Sequence, residues 1–278
     1  MKLYPLLIIV LAATIFASCT SEKDATFEDK CGGKAPGGAV GVLMSISQDI
    51  QLGQASVSQI EADPATYPVL DSATNHVAYG HIYRIRDNIL NSGKVYYKDE
   101  FPWRIRIIKD DNTLNAFCTP GGYIYVYTGI IKYLDNEMQL AGVMGHEIAH
   151  ADRRHSANQM LKQYGVDALI QIFTSGTTQQ IAQLGSQLLA LKFSRTDETE
   201  ADDYSVRYLL GTEYDAQGAK YFFQKIGGST SIPEFLSTHP NPDNRVLNIE
   251  ETWKCLGSGG NTGTFDSRYL EFKASLPN

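Results

Sequence analysis

The sequence predicts an α+β fold, mostly helical, with one small sheet placed just ahead of a helix that carries His-Glu-x-x-His and packed beside it. Three observations predict this. Apolar residues recur at helical spacing over most of the chain after Ser45. Alternating apolar residues are confined to two neighbouring runs, PWRIRIIKDD and LNAFCTPGGYIYVYTGI. No internal repeat breaks the pattern into units, and strands clustered apart from helices argue against alternating β-α units.

The first element is MKLYPLLIIVLAATIFASC. One lysine precedes an apolar run from Leu6 to Ala17, then small residues, then Cys19. The run is too short and wrongly flanked for a comfortable membrane span, and it reads as an export signal. FASC resembles a bacterial lipobox, with cleavage before Cys19 and a lipid on its thiol; a plain secretory signal or a short anchor is the alternative. The expected organisation is a lipoprotein signal peptide at 1–18, a polar tether at 19–43 and one domain at 44–278.

Ser45 to Glu61 has helical spacing at Ile46, Ile50, Val57 and Ile60, and ADPATYPVLD ends it. Asn75 to Asn91 reads as a second helix. PWRIRIIKDD alternates at Trp103, Ile105 and Ile107 and reads as a strand. Two shorter strands follow, separated by Thr119-Pro120-Gly121-Gly122 as turn or bulge. Tyr123, Tyr125 and Tyr127 fall on one face, Ile124 and Val126 on the other. Asp135 is the expected N-cap of a long helix running to about Gln163, with Glu137 in its first turn. Residues 167–193 are helical with TSGTT as a break. SRTDETEADDYSVRYLL begins polar and turns amphipathic. Asp215 to Ile226 is a helix, STHPNPDNR a loop with a helix behind it, and SRYLEFKASLP a closing helical piece.

Composition narrows the class. Apolar residues make up 43% and charged residues 20% of the 278 residues, the balance of an ordinary globular protein. The net charge of -7 gives no electrostatic reason to expect nucleic acid as a partner. With Cys19 set aside for a lipid, Cys31, Cys118 and Cys255 remain. An exported compartment permits disulfides. Cys31 and Cys255 both stand in glycine-flanked terminal segments, so a Cys31–Cys255 bridge is the expected pairing, although spacing alone does not fix connectivity. Cys118 lies within an apolar strand pattern and reads as a buried free thiol.

The chemistry concentrates in GHEIAHADRRH, residues 145–155. A helix advances about 100° per residue, so His146 and His150 stand one above the other and can meet one ion. Imidazole nitrogens suit Zn²⁺, and a catalytic zinc site leaves one position to water. Glu147 projects beside that position, where it can move a proton. The bland alternative is a helix with two incidental histidines; the apolar lead LAGVMGHEIAH argues against it, because buried polar groups need partners. A third ligand must come from elsewhere, since Arg153 stands where an H-x-x-G-x-x-H extension needs glycine. SRTDETEADD is the best source: Glu198 and Asp202 share a helical face, the first able to reach the ion, the second able to fix a ligating histidine. An acidic first turn favoured by the helix dipole is the alternative. Glu200 falls on the far side of that helix and reads as solvated. His155 lies about 140° round a continuous helix from His150 and is expected to stay away from the ion. Arg153, Arg154, His155 and His81 read as structural or surface groups. His239, in a polar His-Pro loop, can approach the open face of the site, with Arg245 behind it.

Taken together, NAFCTPGGYIYVYTG, GHEIAHADRRH and SRTDETEAD, with STHPNPDNR behind them, resemble the gluzincin zinc metallopeptidases of the BepA, HtpX and Oma type, the family that also contains the CAAX prenyl endopeptidase. The resemblance covers roughly residues 45–275. It implies a zincin-like metallopeptidase domain with one Zn²⁺ per chain, held by His146, His150 and Glu198, with Glu147 as general base and Asp202 behind a ligand. It implies a substrate-pairing edge strand at Asn115, Ala116 and Phe117, and a His-Pro segment at His239 that stabilises the oxyanion or plugs the site, accompanied by Arg245. Cys118 departs from a position that is usually small and apolar. The membrane-embedded members carry several spanning helices that this sequence lacks, so the likeness is to the soluble, envelope-located branch. Polypeptide substrates, misfolded envelope proteins among them, a place in the bacterial cell envelope and a role in protein quality control are what the resemblance implies; with the lipobox-like FASC, the expected location is lipid-anchored. A client-binding, chaperone-like protein with a plugged site is the alternative.

Overall fold

A computed structural model describes residues 31–36, 43–189, 192–227, 234–239 and 244–277. The expected signal peptide, Cys19 and most of the tether lie outside these residues. Helix α1 (Ile46–Glu61) and helix α2 (His76–Leu90) come first. Ser45 caps α1 in a reciprocal box with Gln48. Strands β1 (Arg104–Ile108), β2 (Ala116–Thr119) and β3 (Tyr123–Tyr127) make one three-stranded sheet in the order β1-β3-β2. β3 pairs parallel with β1 and antiparallel with β2, Cys118 opposite Ile124. The α+β class expected from the sequence is the class observed.

β3 is buried along its whole length. Its tyrosines pack with Val57, Ile60 and Ile108, while Ile124 and Val126 enter the main core. The turn between β2 and β3 needs its glycines: Gly121 and Gly122 both have φ of +78°. A side chain at Gly121 would also lie 2.8 Å from the Ile50 Cα of α1.

After β3 the chain turns at once into a short helix, α3 (Thr128–Tyr133), which the strand-like pattern concealed. Helix α4 (Glu137–Asp152) follows, and all of its residues are buried. Its cap is Asn136, not Asp135: Asn136 Oδ1 accepts the Gln139 N–H, while Asp135 pairs with Lys225. Nor does the helix run to Gln163. It stops at Asp152, Arg154 takes a left-handed conformation with φ of 57°, and α5 (His155–Tyr164) starts in a new direction. That backbone costs about 1–2 kcal/mol. Buried Arg154 offsets it by donating Nε to Asp49 Oδ2 at 2.7 Å and Nη2 to the Met44 carbonyl at 2.7 Å.

Helices α6 (Val166–Ser175) and α7 (Thr178–Leu188) form a hairpin broken at Gly176, and α7 lies on α1. Helix α8 (Arg195–Leu210) is capped by Ser194 with Asp197 in a reciprocal box. Helices α9 (Gly218–Gly227), α10 (Glu234–Thr238), α11 (Arg245–Cys255) and α12 (Asp266–Ala274) complete the order. α9 starts at Gly218, later than the expected Asp215. α4 is the central element, packed by α8, α9, α2 and the β2 edge of the sheet. Gly142 of α4 makes one of these approaches: its absent Cβ would sit 2.1 Å from the Ala219 nitrogen. Residues 31–36 lie against this body. Arg207 donates to the Cys31 carbonyl, Arg153 to the Lys34 carbonyl, and a Cys31–Cys255 disulfide with Cα atoms 5.8 Å apart fastens the arm to the end of α11. No helix among the described residues is long and apolar enough to cross a membrane.

Candidate metal centre

α4 brings His146 and His150 to one face, one turn apart, and their Nε2 atoms lie 3.0 Å from each other. α8 crosses α4 and delivers Glu198 from its first turn. Glu198 Oε2 is 3.4 Å from His146 Nε2, and Oε1 is 3.5 Å from His150 Nε2. All three side chains are fully buried. Neither Glu198 oxygen has a hydrogen bond, which for a buried carboxylate is expensive unless a cation satisfies it. Donors around a tetrahedral zinc with bonds of about 2.0–2.1 Å stand about 3.3 Å apart. The separations of these atoms fit that ion.

His239 joins the group. Its ring stacks on Phe235 with centroids 4.3 Å apart, and it can offer a ligand atom within 4.8 Å of those of His146, His150 and Glu198. The structure thus closes the fourth side with a histidine that immediately follows the short α10. Its Nε2 is 3.4 Å from Glu147 Oε1. Glu147 follows His146 on α4 and is fully buried, with no hydrogen bond to either oxygen.

A belt of charge orients the donors. His146 Nδ1 lies 2.9 Å from Asp202 Oδ1, which leaves Nε2 facing the donor group. Arg245 spans both carboxylates, donating Nε and Nη2 to Asp202 and placing Nη1 3.2 Å from Glu198 Oε2. Burial works against a charged His146, but Asp202 and Glu198 outweigh it and hold the imidazole up to about 9. Burial pushes His150 well down, and the imidazoles packed around it add to the effect. Burial would raise Asp202, but Arg245 and His146 keep it below the usual carboxylate range.

The wall beside Glu147 is β2, at the edge of the sheet. Asn115 immediately precedes it and extends the ladder, its carbonyl accepting the Tyr127 N–H at 3.1 Å. Asn115 Oδ1 is buried without a hydrogen bond and lines a cleft with Phe117, Tyr67, Phe193 and His239. Cys118 lines the same cleft, and burial pushes its thiol well up, with Glu147 and Glu198 adding to the effect. Ala116 faces the core.

His155, expected as a structural or surface group, is structural: it is buried, with Nδ1 2.9 Å from His150 Nδ1. Glu200 is not simply solvated: it is half-buried and takes Arg153 Nε at 2.9 Å, with His155 Nε2 at 3.2 Å. The faces of α8 alone leave Glu200 on the outside; Arg153 and His155, brought in from the end of α4 and the start of α5, cover that far side. Arg153 and Arg154 are likewise buried, structural groups. Phe193, stacked on His150 with centroids 3.8 Å apart, carried no signal in the sequence.

Fold and donor set together define a class: a helical protein whose H-E-x-x-H helix and a glutamate from a second helix make one buried metal-binding group. More particularly, the chain belongs to Peptidase family M48, whose model matches residues 81–253, more than half of its length. The family resemblance read from the motifs holds. The chain is 29% identical over 229 residues to a beta-barrel assembly-enhancing protease of Yersinia pestis, covering 76% of this chain and 45% of that protein. The Escherichia coli K12 protein of the same name is 28% identical over 257 residues, covering 85% of this chain and 50% of that one. A mitochondrial metalloendopeptidase OMA1 of Arabidopsis thaliana is 32% identical over 146 residues, covering 51% and 30%. The chain therefore spans half or less of the length of these relatives. Metallopeptidases of this family use zinc.

Proposed function

We propose that the protein is a zinc-dependent endopeptidase. His146, His150 and Glu198 hold the ion, which supplies Lewis acidity for hydrolysis. Glu147 takes a proton from a water beside the scissile carbonyl and returns it to the leaving amine. Asp202 keeps His146 in the tautomer with Nε2 toward the donors, and Arg245 keeps Asp202 ionised and in place. An extended polypeptide adds to the edge of β2 along Asn115, Ala116 and Phe117 by main-chain hydrogen bonds. The buried Asn115 Oδ1 offers it a further acceptor.

The observation that carries this reading is the juxtaposition of two buried glutamates without hydrogen bonds. Glu198 faces two imidazole nitrogens, and Glu147 stands beside them. A site built only to hold a metal has no use for Glu147. Glu147→Gln is the test. The variant should retain one zinc per chain, measured by atomic emission, and lose cleavage of unfolded casein by at least about 100-fold. Wild type and variant that are equally inactive yet both bind unfolded protein would replace the enzyme by a client-binding one.

His239 favours a second reading, in which the closed site belongs to a latent or chaperone-like form. If His239 plugs the site, His239→Ala raises casein cleavage; if it stabilises the oxyanion, the same change lowers it.

A place in the bacterial envelope, anchored by lipid on Cys19, and action on misfolded envelope proteins are part of the same proposal. The lipobox-like FASC and relatives named for beta-barrel assembly support it. Metabolic labelling with palmitate should mark the wild type and not Cys19→Ser.

A further inference from the structure

We propose that His155 is a positioning residue for His150, the middle of a relay that runs from Arg153 through Glu200 and His155 to the metal ligand. The inference rests on His150 holding the ion. His150 Nε2 faces the donor group, 3.0 Å from His146 Nε2 and 3.5 Å from Glu198 Oε1. Its Nδ1 points the other way, 2.9 Å from His155 Nδ1. An imidazole that gives its Nε2 lone pair to a cation carries its proton on Nδ1. Two nitrogens at that distance share one hydrogen, so His150 donates and His155 Nδ1 accepts.

That assignment fixes the next proton. His155, accepting on Nδ1, carries its hydrogen on Nε2, and Nε2 lies 3.2 Å from Glu200 Oε2, an acceptor. Glu200 is fixed by Arg153, which donates Nε to Oε1 at 2.9 Å and brings Nη2 to 2.8 Å from the same oxygen. Arg153 is anchored in turn by donating Nη1 to the Lys34 carbonyl at 2.8 Å. The opposite order of protons would set a lone pair of His155 against a carboxylate oxygen. It would also place a hydrogen on His150 Nε2, aimed at the donors. Only one arrangement satisfies every contact, and it presents a lone pair to the ion.

The two histidine ligands are thus supported differently. His146 meets its carboxylate directly, at Asp202. His150 meets Glu200 through a second imidazole, which the break between α4 and α5 swings back over the first. Burial of His155 and its place beside Phe193 make the relay rigid.

The test is zinc affinity of the full chain, measured by competition with a chromogenic chelator, together with the visible spectrum of the cobalt-substituted protein. His155→Leu removes the acceptor and should weaken zinc binding about 10- to 100-fold while shifting the cobalt bands. His155→Asn places its amide oxygen where Nδ1 was and should stay within a few-fold of wild type. Glu200→Gln should fall between them. Equal affinity and spectra for wild type and His155→Leu would overturn the relay, as would a His155→Asn variant as weak as His155→Leu, which would mean a packing role. If His155→Leu does not fold, the Asn and Gln variants decide by the same two readings. A wild type that binds no zinc would overturn the metal centre itself and the relay with it.

Discussion

Arg245 holds Asp202 through two hydrogen bonds, Nε to Oδ2 at 2.6 Å and Nη2 to Oδ1 at 2.5 Å, with both side chains almost wholly buried. A planar fork meeting a carboxylate in this way is hard to replace. Arg245→Ala leaves Asp202 and Glu198 charged and buried without their cation. The expected loss is about 3–5 kcal/mol in urea unfolding of the chelator-treated protein. Arg245→Lys should recover less than half of it, because a point charge cannot form the fork. A change within about 0.5 kcal/mol for Arg245→Ala would mean that water replaces the guanidinium.

Glu137, the first residue of the central helix, accepts from Arg84 at 2.7 Å, from Tyr214 at 2.6 Å and from Arg268 at 3.0 Å. Burial would raise its pKa, but the two arginines and Tyr214 outweigh burial and set it below the ordinary 4.5. The folded value is thus below the unfolded one. The stabilisation is complete above about pH 4.5 and is lost as pH falls through the folded pKa. Unfolding measured from pH 7 downward should show wild type losing more stability on the acid side than Glu137→Gln. Parallel acid limbs would rule out Glu137 as a source of the acid sensitivity.

Gly142 lets two helices touch backbone to backbone: a methyl group there would lie 2.1 Å from the Ala219 nitrogen and 2.3 Å from the Gly218 carbonyl carbon. Neither neighbour is a flexible side chain that can give way. Gly142→Ala should therefore destabilise by about 3 kcal/mol through overpacking. It should also weaken zinc binding, since α9 carries Phe223, which lies against the ring of His146. A thermal midpoint within a degree or two of wild type would show that α9 shifts freely.

The Cys31–Cys255 bridge joins positions 224 residues apart in sequence. Closing so long a loop restricts the unfolded chain, and removing the bridge should cost about 3–5 kcal/mol. The double change of Cys31 and Cys255 to Ser should lower the thermal midpoint, and reductant should lower it in wild type but not in the double variant. A midpoint insensitive to reductant in both would mean that the arm contributes no constraint.

Much of the site was legible because its residues are ordered by short-range geometry. His146, Glu147 and His150 are fixed relative to one another by the pitch of one helix, and Glu198 and Asp202 by the pitch of another. Two strand-like pieces around a glycine turn were legible for a similar reason, whereas the edge position of the first was given only by the family resemblance. The caps were legible only to within a residue, because Asp135 and Asn136 have the same capping chemistry.

What the sequence by itself determined is therefore the local set: the helices, the strand cluster, the two helical faces that carry the donors and the family motif. Tertiary structure alone decided where α4 ends, because a left-handed Arg154 is stable only with Asp49 beneath its guanidinium, 105 positions away. It decided that His155 returns to His150, that Glu200 faces inward to Arg153 and His155, and that His239 closes the fourth side. These follow from burial of charge: a buried guanidinium or imidazole takes whatever partner the fold brings within reach, and no periodicity in the chain records that partner.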